Sequence, residues 1–197
     1  MTRPTSFVTT ILAVAIALLG TACERSDAGR ATAPDAGAPF DVETMAFLSE
    51  ARALHHEANV NEDQGNVRGS IAAVERIVHA KRPHGDRASP EIEEVLADAY
   101  ARLAELDLRA GDADAASRAA SDGLTHAKET TYFRGHLLEV EGVVEESRAA
   151  LLADAGDQAG AARARSSAMR LLEEAVSVQG RVIEAALDGG ATEGDAR

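Results

Sequence analysis

Hydrophobic pattern divides the chain into three regions. A largely apolar run occupies Phe7 to Leu19. From Glu24 to Pro39 large apolar residues almost vanish among Ser, Asp, Gly, Ala and Pro. From Asp41 to about Leu187 apolar residues recur at alternating steps of three and four, the period of a helix that buries one face. No stretch sustains period-two alternation, so the pattern predicts an all-α domain and no sheet.

Stripes and end signals predict about six helices. The first spans about Asp41 to Asp63. The second runs from Val67 to about Lys81, with Val67, Ile71, Val74 and Val78 on one stripe and Arg82-Pro83 as its stop. Ser89-Pro90-Glu91 opens the third with an N-cap, a proline at the first helical position and a first-turn acid. Its buried side is marked by Ile92, Leu96, Ala99, Leu103, Leu106 and Ala110. A fourth follows from Ala113 to about Lys128, a fifth from about Thr131 to Ala155, and a sixth from about Gln158 to Leu187. In the sixth, Ala161, Ala168, Ala175 and Val182 repeat every seven residues, interleaved with Ala164, Leu171, Val178 and Ala185. That stripe predicts packing along a neighbour for the whole helix. Asp188-Gly189-Gly190 is expected to end it and leave 189–197 as a disordered polar tail.

A slower period lies above the helical one. Gly65-Asn66, Gly111-Asp112 and Gly156-Asp157 recur at intervals of 46 and 45 residues, each pair between two predicted helices. Glycine supplies the left-handed residue that ends one helix, and Asn or Asp caps the next. Three antiparallel hairpins follow, each unable to bury its apolar face without its neighbours. The middle hairpin resembles a tetratricopeptide repeat in Tyr100, Leu103, Ala104, Gly111, Asp112, Ala116 and Ala120. It departs at Asp107, where that family has an aromatic, and at Gly123, where alanine is common. The resemblance implies a tetratricopeptide-like helical repeat stack over residues 41–188, with a six-helix bundle as the alternative.

The apolar run is 13 residues long, about 20 Å as a helix, and falls short of the roughly 30 Å hydrocarbon core of a bilayer. With Arg3 before it, residues 1–22 read as a signal peptide. Gly20-Thr21-Ala22-Cys23 resembles the lipobox of bacterial lipoproteins, although Gly20 takes the place where that motif usually has Leu. The resemblance implies acylation of Cys23, the one cysteine of the chain, and residence on the periplasmic or outer side of a cell-envelope membrane. Gly20 and Ala22 also satisfy the small-x-small rule of ordinary cleavage, so soluble export is one alternative. An uncleaved anchor with an incidental cysteine is another. Residues 23–40 then form a flexible tether of about 20–25 Å mean span.

Charge narrows the partners. The formal net charge is −13, and removal of residues 1–22 takes away Arg3 and no acid, leaving 19 basic against 33 acidic residues, or −14. Such a chain is not built to bind nucleic acid or an anionic membrane surface through charge. Its membrane contact is expected through the N-terminal lipid.

Repeat proteins act by presenting a groove. If the first two hairpins follow the repeat pattern, Arg52, His55, Asn59 and Glu62 share one helix face, and Asp98, Arg102, Glu105 and Arg109 share the corresponding face of the next. Such a face suits an extended peptide held by side-chain hydrogen bonds; the plainer alternative is a solvated polar stripe. Metal chemistry lacks support: His55-His56-Glu57 point in different directions on a helix, and Glu75/His79 and His136/Glu139 are isolated pairs. With no nucleophile elbow, phosphate loop or haem-attachment motif, no enzyme activity and no cofactor are expected. The expected function is an exported scaffold or adaptor that binds another cell-envelope protein. A lipoprotein binding a small ligand or metal is the alternative.

Overall fold

The computed structural model describes residues 41–85 and 89–194, with side chains described through Asp188. The signal peptide, Cys23 and tether inferred above, and the last three residues of the expected tail, lie outside the described residues. Among the described residues the fold is all-α: α1 (Val42–Asp63), α2 (Val67–Val78), α3 (Pro90–Ala110), α4 (Ala113–His126), α5 (Tyr132–Asp154) and α6 (Gln158–Gly194).

The three Gly-Asx pairs fold as their chemistry dictates. Gly65, Gly111 and Gly156 take φ of 73°, 84° and 86°, the left-handed region that costs glycine least. In each turn the Asx backbone N–H reaches back five residues, Asn66 to Asn61, Asp112 to Asp107 and Asp157 to Leu152, at 2.8–2.9 Å. The side chains then cap forward: Asn66 accepts from the Gly69 N–H at 3.1 Å, and Asp112 and Asp157 accept from Ala115 and Gly160 at 2.8 Å. Each pair therefore closes one helix with a Schellman turn and opens the next. The result is three antiparallel hairpins, α1/α2, α3/α4 and α5/α6.

The hairpins stack through α2 on α3 and α4 on α5. Helices α1, α3 and α5 also touch in succession, whereas α2 does not reach α4 and α4 does not reach α6. The stack consequently fans out on the α2/α4/α6 side and draws together along α1/α3/α5, in the manner of helical repeats. Its core is filled by Val74, Ile77, Leu96, Leu106, Leu137, Val144 and Val178, with alanines between them. Small side chains let the helices approach closely. A Cβ added at Gly123 would lie 2.5 Å from Leu137 Cδ2 and 2.8 Å from Tyr100 Cβ, which explains glycine where the repeat family tolerates alanine.

Helix ends depart from expectation in three places. Helix α2 stops at Val78 rather than near Lys81, because Pro83 bars the helical conformation from Arg82 and the last turn tightens, Ala80 N–H bonding Ile77 at 3.2 Å. Helix α4 stops at His126, where the buried Ala127 turns its carbonyl to the Arg134 guanidinium at 3.2 Å. Helix α6 passes through Gly189 and Gly190 to Gly194. Two glycines weaken a helix by about 1 kcal/mol each relative to alanine without forbidding it. Nor does its stripe stay buried to the end. Ala161, Ala164, Ala168, Ala175 and Val178 pack inward, but Ala185 is exposed. Helix α5 has run out: Gly135, in its first turn, already faces Gln179.

Candidate functional site

The face formed by α1 and α3 gathers most of the predicted groove residues. Glu62, in the last turn of α1, is pinched between the guanidinium groups of Arg102 and Arg109 on α3. Arg102 also donates from Nη2 to Asn59 Oδ1 at 2.6 Å. One turn nearer the other end, His55 Nε2 stands 3.8 Å from Asp98 Oδ2. Burial pushes the His55 imidazole below its ordinary value, against the pull of Asp98 and with the push of Arg102. Four of the eight candidates, Asn59, Glu62, Arg102 and Arg109, thus form one network across two hairpins, and His55 and Asp98 form a separate pair between the same helices. Arg52 and Glu105 stand apart from both, with no side-chain hydrogen bond or ion pair among the described residues. The network is tight at its centre, since Glu62 is only 16% exposed in its side chain and Arg102 Nε is buried with no hydrogen-bond partner.

A second feature lies at the opposite end of the stack from the Gly-Asx turns, where the α2–α3 and α4–α5 connections come together. They border an open cleft of about 580 Å³ whose walls include Arg82, Glu93, Glu94, His126, Lys128 and Phe133. His126 Nδ1 sits 2.7 Å from Glu93 Oε2, and its ring stacks on Tyr100 with centroids 5.4 Å apart and planes 11° from parallel. Arg82 approaches the same pair, 3.6 Å from Glu93 and 3.4 Å from His126 Nε2. Sequence reading missed this cluster. Its members are separated by 33 and 44 residues, and no local motif joins them. The one available clue was topological: in a stack of hairpins, the connections that lack Gly-Asx turns must share an end.

Two carboxyls are pushed above their ordinary range. Asp107, where the repeat family has an aromatic ring, is half-buried, and burial with Asp112 and Glu75 nearby raises its carboxyl to about 6, Arg118 opposing. Glu141 on α5 is raised for the same reason, first by burial and then by Glu145 and Glu174. Among the described residues no three His, Cys, Asp or Glu side chains converge as a metal centre requires.

These features define a class: an all-α stack of three helical hairpins with a polar inner face and a cleft at one end. No family model matches the chain, and no curated protein or solved structure matches it.

Proposed function

We propose that the protein is an exported, lipid-anchored helical-repeat adaptor that binds another cell-envelope protein along the α1/α3 face. The observation that carries this reading is the braced Glu62–Arg102–Arg109 network on the drawn-in side of the stack, with Arg52 one helical turn before His55 and Glu105 one turn after Arg102, both without a side-chain hydrogen bond or ion pair among the described residues. A rigid polar face with adjacent uncommitted charges suits recognition of an extended segment, since the bracing has already fixed side chains that binding would otherwise have to order. Anchoring at Cys23 would hold this face within a tether's reach of the membrane.

Crosslinking in the native host, followed by affinity capture of the full chain, tests the proposal. A specific envelope protein should be recovered, and Arg52→Glu combined with Glu105→Arg should remove it while leaving the helical signal intact. Recovery of nothing reproducible, or of the same protein from the double variant, counts against the adaptor. Mass spectrometry of the mature N-terminus tests the anchor separately, because an unmodified Cys23 removes it.

The end cleft supports a second reading, a pocket for a small ligand. Its volume falls in the range of ligand sites, and Arg82, His126 and Lys128 offer donors beside the apolar Phe133. Thermal melting across a ligand panel separates the two readings, since a ligand at about 100 times its dissociation constant adds roughly 2.7 kcal/mol.

A further inference from the structure

Helix α6 buries one stripe against α5 and exposes another. Met169, Val176, Ile183 and Leu187 are 58%, 70%, 59% and 69% exposed, although each is large and apolar. Their spacing is seven, seven and four residues. With Glu173 and Gly180 between them they form a second, complete heptad seam, set well round the helix from the buried Ala161–Val178 stripe. Gly180 occupies the middle of this seam, and a Cβ there would meet nothing within 4 Å. Helix chemistry does not favour glycine at such a position, but close approach of a second helix does.

The charges around the seam point to what covers it. Although the chain as a whole carries −13, α6 from Gln158 to Asp188 holds four arginines (163, 165, 170, 181) and four acids (Glu173, Glu174, Glu184, Asp188). It is a neutral surface on an acidic protein, where two copies can meet without strong repulsion. The order of charges is self-complementary only when the helix runs against itself. Antiparallel pairing that sets Met169 against Leu187 and Val176 against Gly180 of the second copy also places Arg170 beside Glu184, twice by symmetry, with Ser177 at the two-fold. Parallel in-register pairing would instead set Arg170 beside Arg165 of the second copy, a repulsive pair, and Glu184 beside the uncharged Gln179. Glu173, facing Ile183 in the antiparallel arrangement, is the polar step that fixes one register.

We infer that the protein forms an antiparallel two-fold dimer through the exposed seam of α6, with the α1/α3 face of each copy left free. Light scattering and sedimentation on the full chain in detergent test this, with circular dichroism to confirm folding; all the altered residues are exposed, so the fold should persist. The expected result is a dimer that Val176→Glu abolishes. Arg170→Glu and Glu184→Arg should each weaken it about tenfold, because each turns two attractive pairs repulsive, and the double charge swap should restore it. A monomer at every concentration up to hundreds of micromolar overturns the inference. A dimer indifferent to Val176→Glu, or one weakened by the single swaps and not restored by the double, overturns it equally.

Discussion

His126 Nδ1 lies 2.7 Å from the Glu93 carboxylate, tying the last residue of α4 to the first turn of α3. The imidazole is 8% exposed in its side chain and lies flat on Tyr100, so this contact has lost most of its water. A partly desolvated hydrogen bond to a charged group contributes about 1.5–3 kcal/mol, and the stacked ring adds to it. We predict that His126→Ala lowers the unfolding free energy in urea by about 2 kcal/mol, and that His126→Phe, which keeps the stack and loses the bond, falls between. An alanine variant as stable as the parent would show that the joint is incidental.

Glu62 has a larger structural role than its place at a helix end suggests. It answers both Arg102 and Arg109, and Arg102 already carries a buried Nε without a partner. Removing the acid leaves that guanidinium half-buried and held only by Asn59. Glu62→Ala should therefore cost about 2 kcal/mol, whereas Arg109→Ala, at a side chain 55% exposed, should cost under about 0.5 kcal/mol. Equal losses in chemical denaturation would mean that the network is not centred on Glu62.

The helices were legible because their ends are written locally. Glycine at Gly65, Gly111 and Gly156, followed at once by a capping Asx, specifies a turn by backbone sterics and one hydrogen bond, and the structure places all three hairpin turns there. The stripe Ile92, Leu96, Ala99, Leu103 and Leu106 is likewise buried as its spacing predicts, whereas Ala110, expected on the same side, is exposed at the last residue of α3. What sequence could not supply is where one hairpin meets another. Whether Asn59 and Glu62 face solvent or Arg102 depends on how α1 lies on α3, a relation between residues 40 and more apart. The heptad of Ala161 through Ala185 showed which side of α6 packs inward, but the point where that packing stops is set by the start of α5.

Close packing at Gly123 gives a sharper test of the hairpin interface. Alanine there gains about 1 kcal/mol in helix propensity, yet its methyl group would stand 2.8 Å from Tyr100 Cβ, an atom fixed to its own helix, and 2.5 Å from a Leu137 methyl. Overpacking of this kind typically costs 1–3 kcal/mol. Gly123→Ala is therefore predicted to be destabilising by about 1 kcal/mol net, read as a lower urea midpoint with unchanged slope. A stabilised variant would indicate that α4 stands farther from α3 and α5.

Asp107 makes stability depend on pH in a predictable sense. Its folded carboxyl titrates near 6, above the ordinary 3.8, because burial and the neighbouring Asp112 and Glu75 oppose its charge. Between those values the folded chain binds the proton more strongly than the unfolded chain, so stability falls as pH rises. The favourable contribution is fully present below about 3.8 and lost once pH passes about 6, leaving a charged, half-wetted carboxylate that destabilises the fold at pH 7. After discounting for solvent screening the penalty is on the order of 1 kcal/mol. Asp107→Asn removes the titration, so this variant should be the more stable protein at pH 7, with the advantage shrinking steadily to nothing by about pH 4. Parallel urea titrations of both proteins across that window measure the difference directly, and it isolates Asp107 from Glu141, which shifts in the same direction in both. A difference that is constant with pH would place the Asp107 carboxyl in its ordinary range.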